Sequence, residues 1–163
     1  MTRHIPAIRN QAQRRQILSD KGTAGGAVLE HLVWSESLSI GLDQLDEQHK
    51  KMVGILNALQ EAISQGSQKH DLEHVIADLL SYTRYHLSFE ERQMVVAAYP
   101  GLSDHQREHR GLVAQIEIYA QQVNDRQPLA AIKLLKFLNQ WWSRHLATAD
   151  RAYGEFELAR KAA

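Results

Sequence analysis

Apolar and polar positions alternate with a helical period through most of the chain. Leu42, Leu45, Met52, Val53, Leu56, Leu59 and Ile63 recur at three- and four-residue intervals, and Gly66 follows as a stop. Leu72, Val75, Ile76, Leu79, Thr83 and Met94 form a second stripe, closed by Tyr99-Pro100-Gly101. A third stripe runs through Leu112, Val113, Ile116 and Val123, with Ser103 or Asp104 placed to cap its start. Residues 124–128 read as a turn, and a fourth stripe carries Ile132, Leu135, Leu138, Trp141, Trp142, Tyr153 and Phe156. A period of two is almost absent, so strands are not expected. Four helices of about 20–30 residues with short connections predict an all-α fold, an up-down-up-down antiparallel four-helix bundle over residues 31–163.

Residues 1–30 follow no such pattern. Arg3, Arg9, Arg14, Arg15 and Lys21 outnumber the acidic groups there, and Gly22-Thr23-Ala24-Gly25-Gly26 has linker composition. The segment is expected to be a flexible basic N-terminal extension, with a weakly patterned helix possible over residues 9–18.

The stripes are broken by residues that do not belong in apolar faces. His49 interrupts the first; His86 and Glu90 the second; His105 and His109 lead the third; His145 stands in the fourth, with Asp150 beyond it. Burying so many polar groups without partners is costly, and shared metal ions are the simplest way to satisfy them. Spacing alone does not select them. Nine histidines give roughly half a His-x-x-x-His pair by chance, and the chain has two, His70/His74 and His105/His109. His70 and His74 sit beside Lys69, Asp71 and Glu73 and read as a solvated helix start.

Distance from the turns supports the remaining set. In an antiparallel bundle, partners on adjacent helices lie equally far from their connection. His49 and His86 are about 18 and 19 residues from a turn near residue 67, and His109 and His145 about 18 residues each from a turn near residue 127. All four helices thus bring a candidate ligand to one layer. Asp150 is the exception, because five residues of regular helix turn it about 140° away from His145. It joins the layer only if the helix widens between them, as in a π-type turn.

Composition narrows the chemistry. The chain of 163 residues has zero formal net charge and no cysteine. Balanced charge disfavours nucleic acid as a partner, and no apolar run approaches a membrane span. The missing cysteines exclude disulfides and thiolate metal sites. With no secretory leader visible, a cytoplasmic protein is expected. The lack of an exposed apolar stripe predicts a monomer. Imidazole and carboxylate suit iron, manganese or zinc. Five imidazoles, two bridging carboxylates and a bridging oxide or hydroxide would fill all but one position around two octahedral ions. That vacancy suits a small diatomic molecule better than an organic substrate.

Residues 34–153 resemble the hemerythrin family in its bacterial branch. The resemblance rests on Asp46-Glu47-Gln48-His49-Lys50, His86-Leu87-Ser88-Phe89-Glu90-Glu91 with Met94, Tyr99-Pro100, His105-Gln106-Arg107-Glu108-His109, and Trp141-Trp142-Ser143-Arg144-His145 followed by Asp150. It implies two Fe ions in an oxo- or hydroxo-bridged di-iron centre that binds O2 reversibly, for storage, delivery or sensing. His105, His109 and His145 would hold one iron, His49 and His86 the second, and Glu90 and Asp150 would bridge. Met52 and Trp141 are expected to wall the ligand pocket. Ala147 stands where the family often carries a bulky apolar residue, which implies a wider pocket and faster autoxidation. No catalytic residue is implied. The competing functions are a di-iron oxidase, peroxidase or nitric oxide-handling enzyme on the same residues, and a histidine phosphotransfer module using exposed His74.

Overall fold

The computed structural model describes residues 31–163; the expected N-terminal extension and its short helix lie outside the described residues. A single 3-10 turn, Glu36–Leu38, precedes the bundle. Four helices then follow: α1 Asp43–Ser64, α2 Lys69–Val96, α3 Leu102–Asn124 and α4 Ala130–His145. A π-turn over Leu146–Asp150 joins α4 to its continuation, α5 Arg151–Ala162. Helix α2 packs against α1 and α3, and α4 against α3 and α1, as in a square four-helix bundle. No strand occurs among the described residues.

The terminators act largely as the sequence implied. Gly66 ends α1 in the left-handed region at φ 63°. The start of α3 is different. Neither Ser103 nor Asp104 caps it: Gly101 stands at the cap position with no side-chain hydrogen bond. Asp104 lies inside the first turn and accepts from Arg107 Nη2 at 2.7 Å.

Two apolar cores occupy the bundle. The larger runs from Met52, Leu56 and Leu59 on α1 through Leu79 and Leu87, Leu112 and Ile116, to Leu138, Trp142 and Leu146. The smaller packs Ile40, Leu45, Met94, Ala97 and Tyr153, with Phe89, Tyr99, Leu102 and Phe156 around them. Gly154 lets the chain before α1 close over this second core, since a Cβ there would collide with the Ile40 carbonyl.

Between the cores every helix changes character. On α1 His49 lies between Leu45 of one core and Met52 of the other. On α2 Glu90 lies between Leu87 and Met94, and beyond α4 Asp150 lies between Leu146 and Tyr153. The bundle is therefore two apolar plugs separated by one polar belt.

Candidate metal centre

All seven belt residues are buried. His49, Glu90 and Asp150 have no exposed area, and His86, His105, His109 and His145 are at most 4% exposed. Such burial without compensation is among the most costly arrangements a core can hold.

Five of the seven converge. One donor atom from each of Glu90, His105, His109, His145 and Asp150 lies within 4.8 Å of every other. His145 Nε2 is 3.1 Å from His109 Nε2 and 3.2 Å from His105 Nε2. Glu90 Oε2 is 3.1 Å from His105 Nε2 and 3.4 Å from His109 Nε2. Asp150 connects this group to the remaining pair: its Oδ1 lies 3.0 Å from His145 Nε2 and 3.3 Å from His105 Nε2, while Oδ2 lies 3.6 Å from His49 Nε2. The His49 and His86 rings meet edge to face at 4.9 Å. The turn-distance argument therefore describes the layer correctly, and the π-turn resolves the difficulty with Asp150. The widened turn carries its carboxylate round to the face that His145 occupies.

Local sequence supplies the orientation. His86 Nδ1 meets Gln48 Oε1 at 3.0 Å, His109 Nδ1 meets Glu91 Oε1 at 2.8 Å, and His145 Nδ1 meets Glu108 Oε2 at 2.8 Å. Each acceptor is the sequence neighbour of a belt residue on the preceding helix: Gln48 beside His49, Glu91 beside Glu90, Glu108 beside His109. One helix thus aims the imidazole of the next. An Nδ1–H donated outward leaves the Nε2 lone pair pointing inward, the tautomer a metal requires. These three positioning residues stand inside the motifs quoted above, but sequence reasoning did not assign their role. Adjacency to a belt residue was the available signal.

The donor set fits a pair of cations. Three Nε2 atoms and two carboxylate oxygens crowd one space, and hydrogen bonds satisfy only part of the belt. Both nitrogens of His49, Glu90 Oε1 and both oxygens of Asp150 have no hydrogen-bond partner. Asp150 Oδ1 is near enough to His145 but is not aligned for a hydrogen bond. Two nitrogens bound about 2.1 Å from one ion at right angles stand about 3 Å apart, close to the separations found. Nitrogen and carboxylate donors without thiolate suit iron or another first-row ion.

Electrostatics favour the ligand forms. Burial pushes the His86 imidazole down to about 3 and His105 to about 4, and it lowers His49 and His109 as well. These rings are neutral, with a lone pair available. Burial also opposes a charge on His145, but Asp150 and Glu108 outweigh it and raise that imidazole above its ordinary value. Glu90 is pushed well above the carboxylate range, first by burial and then by the Asp150 charge. Burial works the same way on Asp150, but His145, His49 and His105 hold it low.

The surrounding wall differs from expectation in one respect. Met52 is buried, and Trp141 stacks on His145 with ring centroids 4.1 Å apart. Ala147 is exposed and does not line the belt. His145, Leu146 and Asp150 face inward across the π-turn, which leaves Ala147 and Thr148 on the outer surface. Leu146, 1% exposed, occupies the inner position. Trp142 was read only as core; it meets His49 at 5.4 Å and His86 at 5.8 Å, edge to face. His70 and His74 are paired with each other on the surface and take no part in the belt.

Comparison with known proteins agrees with this geometry. The Hemerythrin HHE cation binding domain family matches residues 40–156. The chain is 31% identical to a bacteriohemerythrin of Stenotrophomonas maltophilia over 124 residues, covering 76% of this chain and 80% of that protein. It is 30% identical to a bacteriohemerythrin of Pseudomonas paraeruginosa, covering 77% and 80%. A myohemerythrin of Riftia pachyptila is 27% identical, covering 74% and 89%. With the family pattern spanning every element that contributes to the belt, this chain belongs to the hemerythrin family.

Proposed function

We propose that this protein binds dioxygen reversibly at a di-iron centre, with His105, His109 and His145 on one iron, His49 and His86 on the other, and Glu90 and Asp150 shared. The observation that carries the reading is the belt itself: seven buried donor residues, with His49, Asp150 and one oxygen of Glu90 left without hydrogen-bond partners, joined across two halves by Asp150. When bound, an iron pair would supply the reducing electrons and one open coordination position. The chain's own part is orientation and exclusion. Gln48, Glu91 and Glu108 fix the imidazoles. Met52, Trp141, Trp142 and Leu146 exclude water from the belt and so limit protonation and loss of the bound ligand as superoxide or peroxide.

Binding rather than turnover is favoured because imidazoles outnumber carboxylates and leave little room for an organic substrate. The protein would serve oxygen storage, delivery or sensing and not catalysis. All seven donors come from one chain, so the site would need no residue from a second copy, in keeping with the monomer proposed from the sequence. No described helix is long and apolar enough to cross a membrane, and the lack of cysteine suits a reducing cytoplasm.

Anaerobic reconstitution with ferrous iron, followed by air, tests the reading. The expected result is about two irons per chain and a visible charge-transfer band that disappears on deoxygenation. Irreversible ferric conversion would sink it, as would sustained turnover of peroxide or nitric oxide at rates that outpace binding.

A further inference from the structure

The two sides of the belt differ in what they leave unsatisfied. On the three-histidine side Glu91 and Glu108 accept from the rings. Around His49 and His86 one acceptor, Gln48 Oε1, serves His86, and neither nitrogen of His49 has a partner. The Trp142 indole Nε1–H is buried there without an acceptor, in a ring only 4% exposed. The Trp142 ring meets His49 at 5.4 Å and His86 at 5.8 Å in T-shaped contacts, whereas Trp141 lies flat on His145.

An unpaired buried donor costs the desolvation of its N–H and returns nothing. Phenylalanine or leucine would fill the same apolar space without that loss. A donor kept at a ligand site implies an acceptor that arrives with the ligand. Small anions, and small molecules that take negative charge from a reduced ion, are such acceptors, and hydrogen bonds to charged groups are the stronger kind.

Resting on the di-iron reading above, we propose that Trp142 is a specificity-determining residue whose Nε1–H donates a hydrogen bond to the small anionic ligand captured on the His49/His86 side. It would strengthen binding of acceptors over molecules of similar size that carry no charge. Trp34 supplies an internal control: its Nε1 is also buried without a partner, its ring lies 6.5 Å from His49, and it belongs to the segment before α1.

The test uses the full chain in its ferric di-iron form with azide as the probe. Azide affinity is measured by its charge-transfer band for the unaltered protein, Trp142→Phe and Trp34→Phe, with iron content determined for each. Trp142→Phe is expected to keep both irons and bind azide about ten-fold or more weakly, while Trp34→Phe stays near the unaltered value. In the unaltered chain, azide should shift the ultraviolet resonance Raman band that reports indole N–H hydrogen bonding, and Trp34→Phe should retain that shift. The Raman arm stands even if Trp142→Phe folds poorly. Equal azide affinity in fully loaded Trp142→Phe, an unmoved indole band, or loss of the effect in Trp34→Phe alone would overturn the role of Trp142. An unaltered chain that takes up no iron would instead overturn the di-iron reading, and this inference with it.

Discussion

The three-histidine half of the belt and the His49/His86 half are built from the same residue types but held differently. In the first, two of three imidazoles are fixed by carboxylates, and five donors already converge on one space. In the second, His86 is fixed by the neutral amide of Gln48, and neither nitrogen of His49 is hydrogen-bonded. Asp46 Oδ1 stands 4.0 Å from His49 Nδ1, and its carboxylate is already engaged by Ser39 Oγ and the Ile40 N–H. An anionic partner strengthens an imidazole as a donor and restrains its ring. One half is therefore arranged as a preorganised cation site would be, and the other is looser and would complete it. Such a difference suits a centre in which one ion is structural and its neighbour exchanges ligands.

The severest way to break the comparison is to remove what joins the halves. Asp150→Ala should abolish stable loading of both, with metal analysis giving well under one iron per chain; two firmly bound irons would show that Asp150 is not shared. Next in size is order of filling. Metal-free protein titrated with Co2+ and followed by native mass spectrometry should accumulate a one-metal species. His49→Ala should retain that first binding event and lose the second, while His109→Ala weakens both. Equal damage from the two variants would erase the distinction between the halves.

Substitution of the positioning residues sharpens it. Glu108→Gln should lower affinity for the first Co2+ by about 10- to 100-fold, and Gln48→Ala should affect only the second, without changing helix content by circular dichroism. A smaller effect concerns acid. His49, His86, His105 and His109 resist protonation when folded but take up protons below about 6.5 when unfolded. The unfolded chain then binds more protons, so the metal-free protein should lose stability as pH falls from about 7 to about 5. Glu90 and His145 act in the opposite sense, since their folded forms hold protons that the unfolded chain has released, but they are two groups against four. A thermal midpoint that rises toward pH 5 would contradict this. The smallest expected effect is that of Ala147→Leu. At an exposed position it should leave autoxidation unchanged, whereas Leu146→Ala, which opens a hole in the inner wall, should accelerate it.

Most of the bundle was legible because helical periodicity is a local signal. Each stripe records one buried face, and Gly66 marks a helix end at the residue where it acts. Ser103 and Asp104 are good capping residues by type, but the helix already begins at Leu102, one position before the first and two before the second. Ala147 was misplaced for a different reason. The resemblance alone put it in the pocket, whereas two residues of regular helix already turn Ala147 about 200° from His145, and across the π-turn Leu146 takes the inner face.

By itself, the sequence determined the number of helices, their buried faces, and the presence of seven ionisable residues that no apolar core tolerates unpaired. It also determined the common level of His49, His86, His109 and His145, because helix rise converts residue counts into distance. Only the tertiary structure decided which atoms meet. The donation of Nδ1 hydrogens from one helix to the next, the span of Asp150 between two histidine groups, and the unpaired indole of Trp142 all depend on side-chain direction across helices. The imidazole hydrogen bonds alone join residues 18 to 38 positions apart, and a periodicity read along one helix carries no information about the rotation of its neighbour.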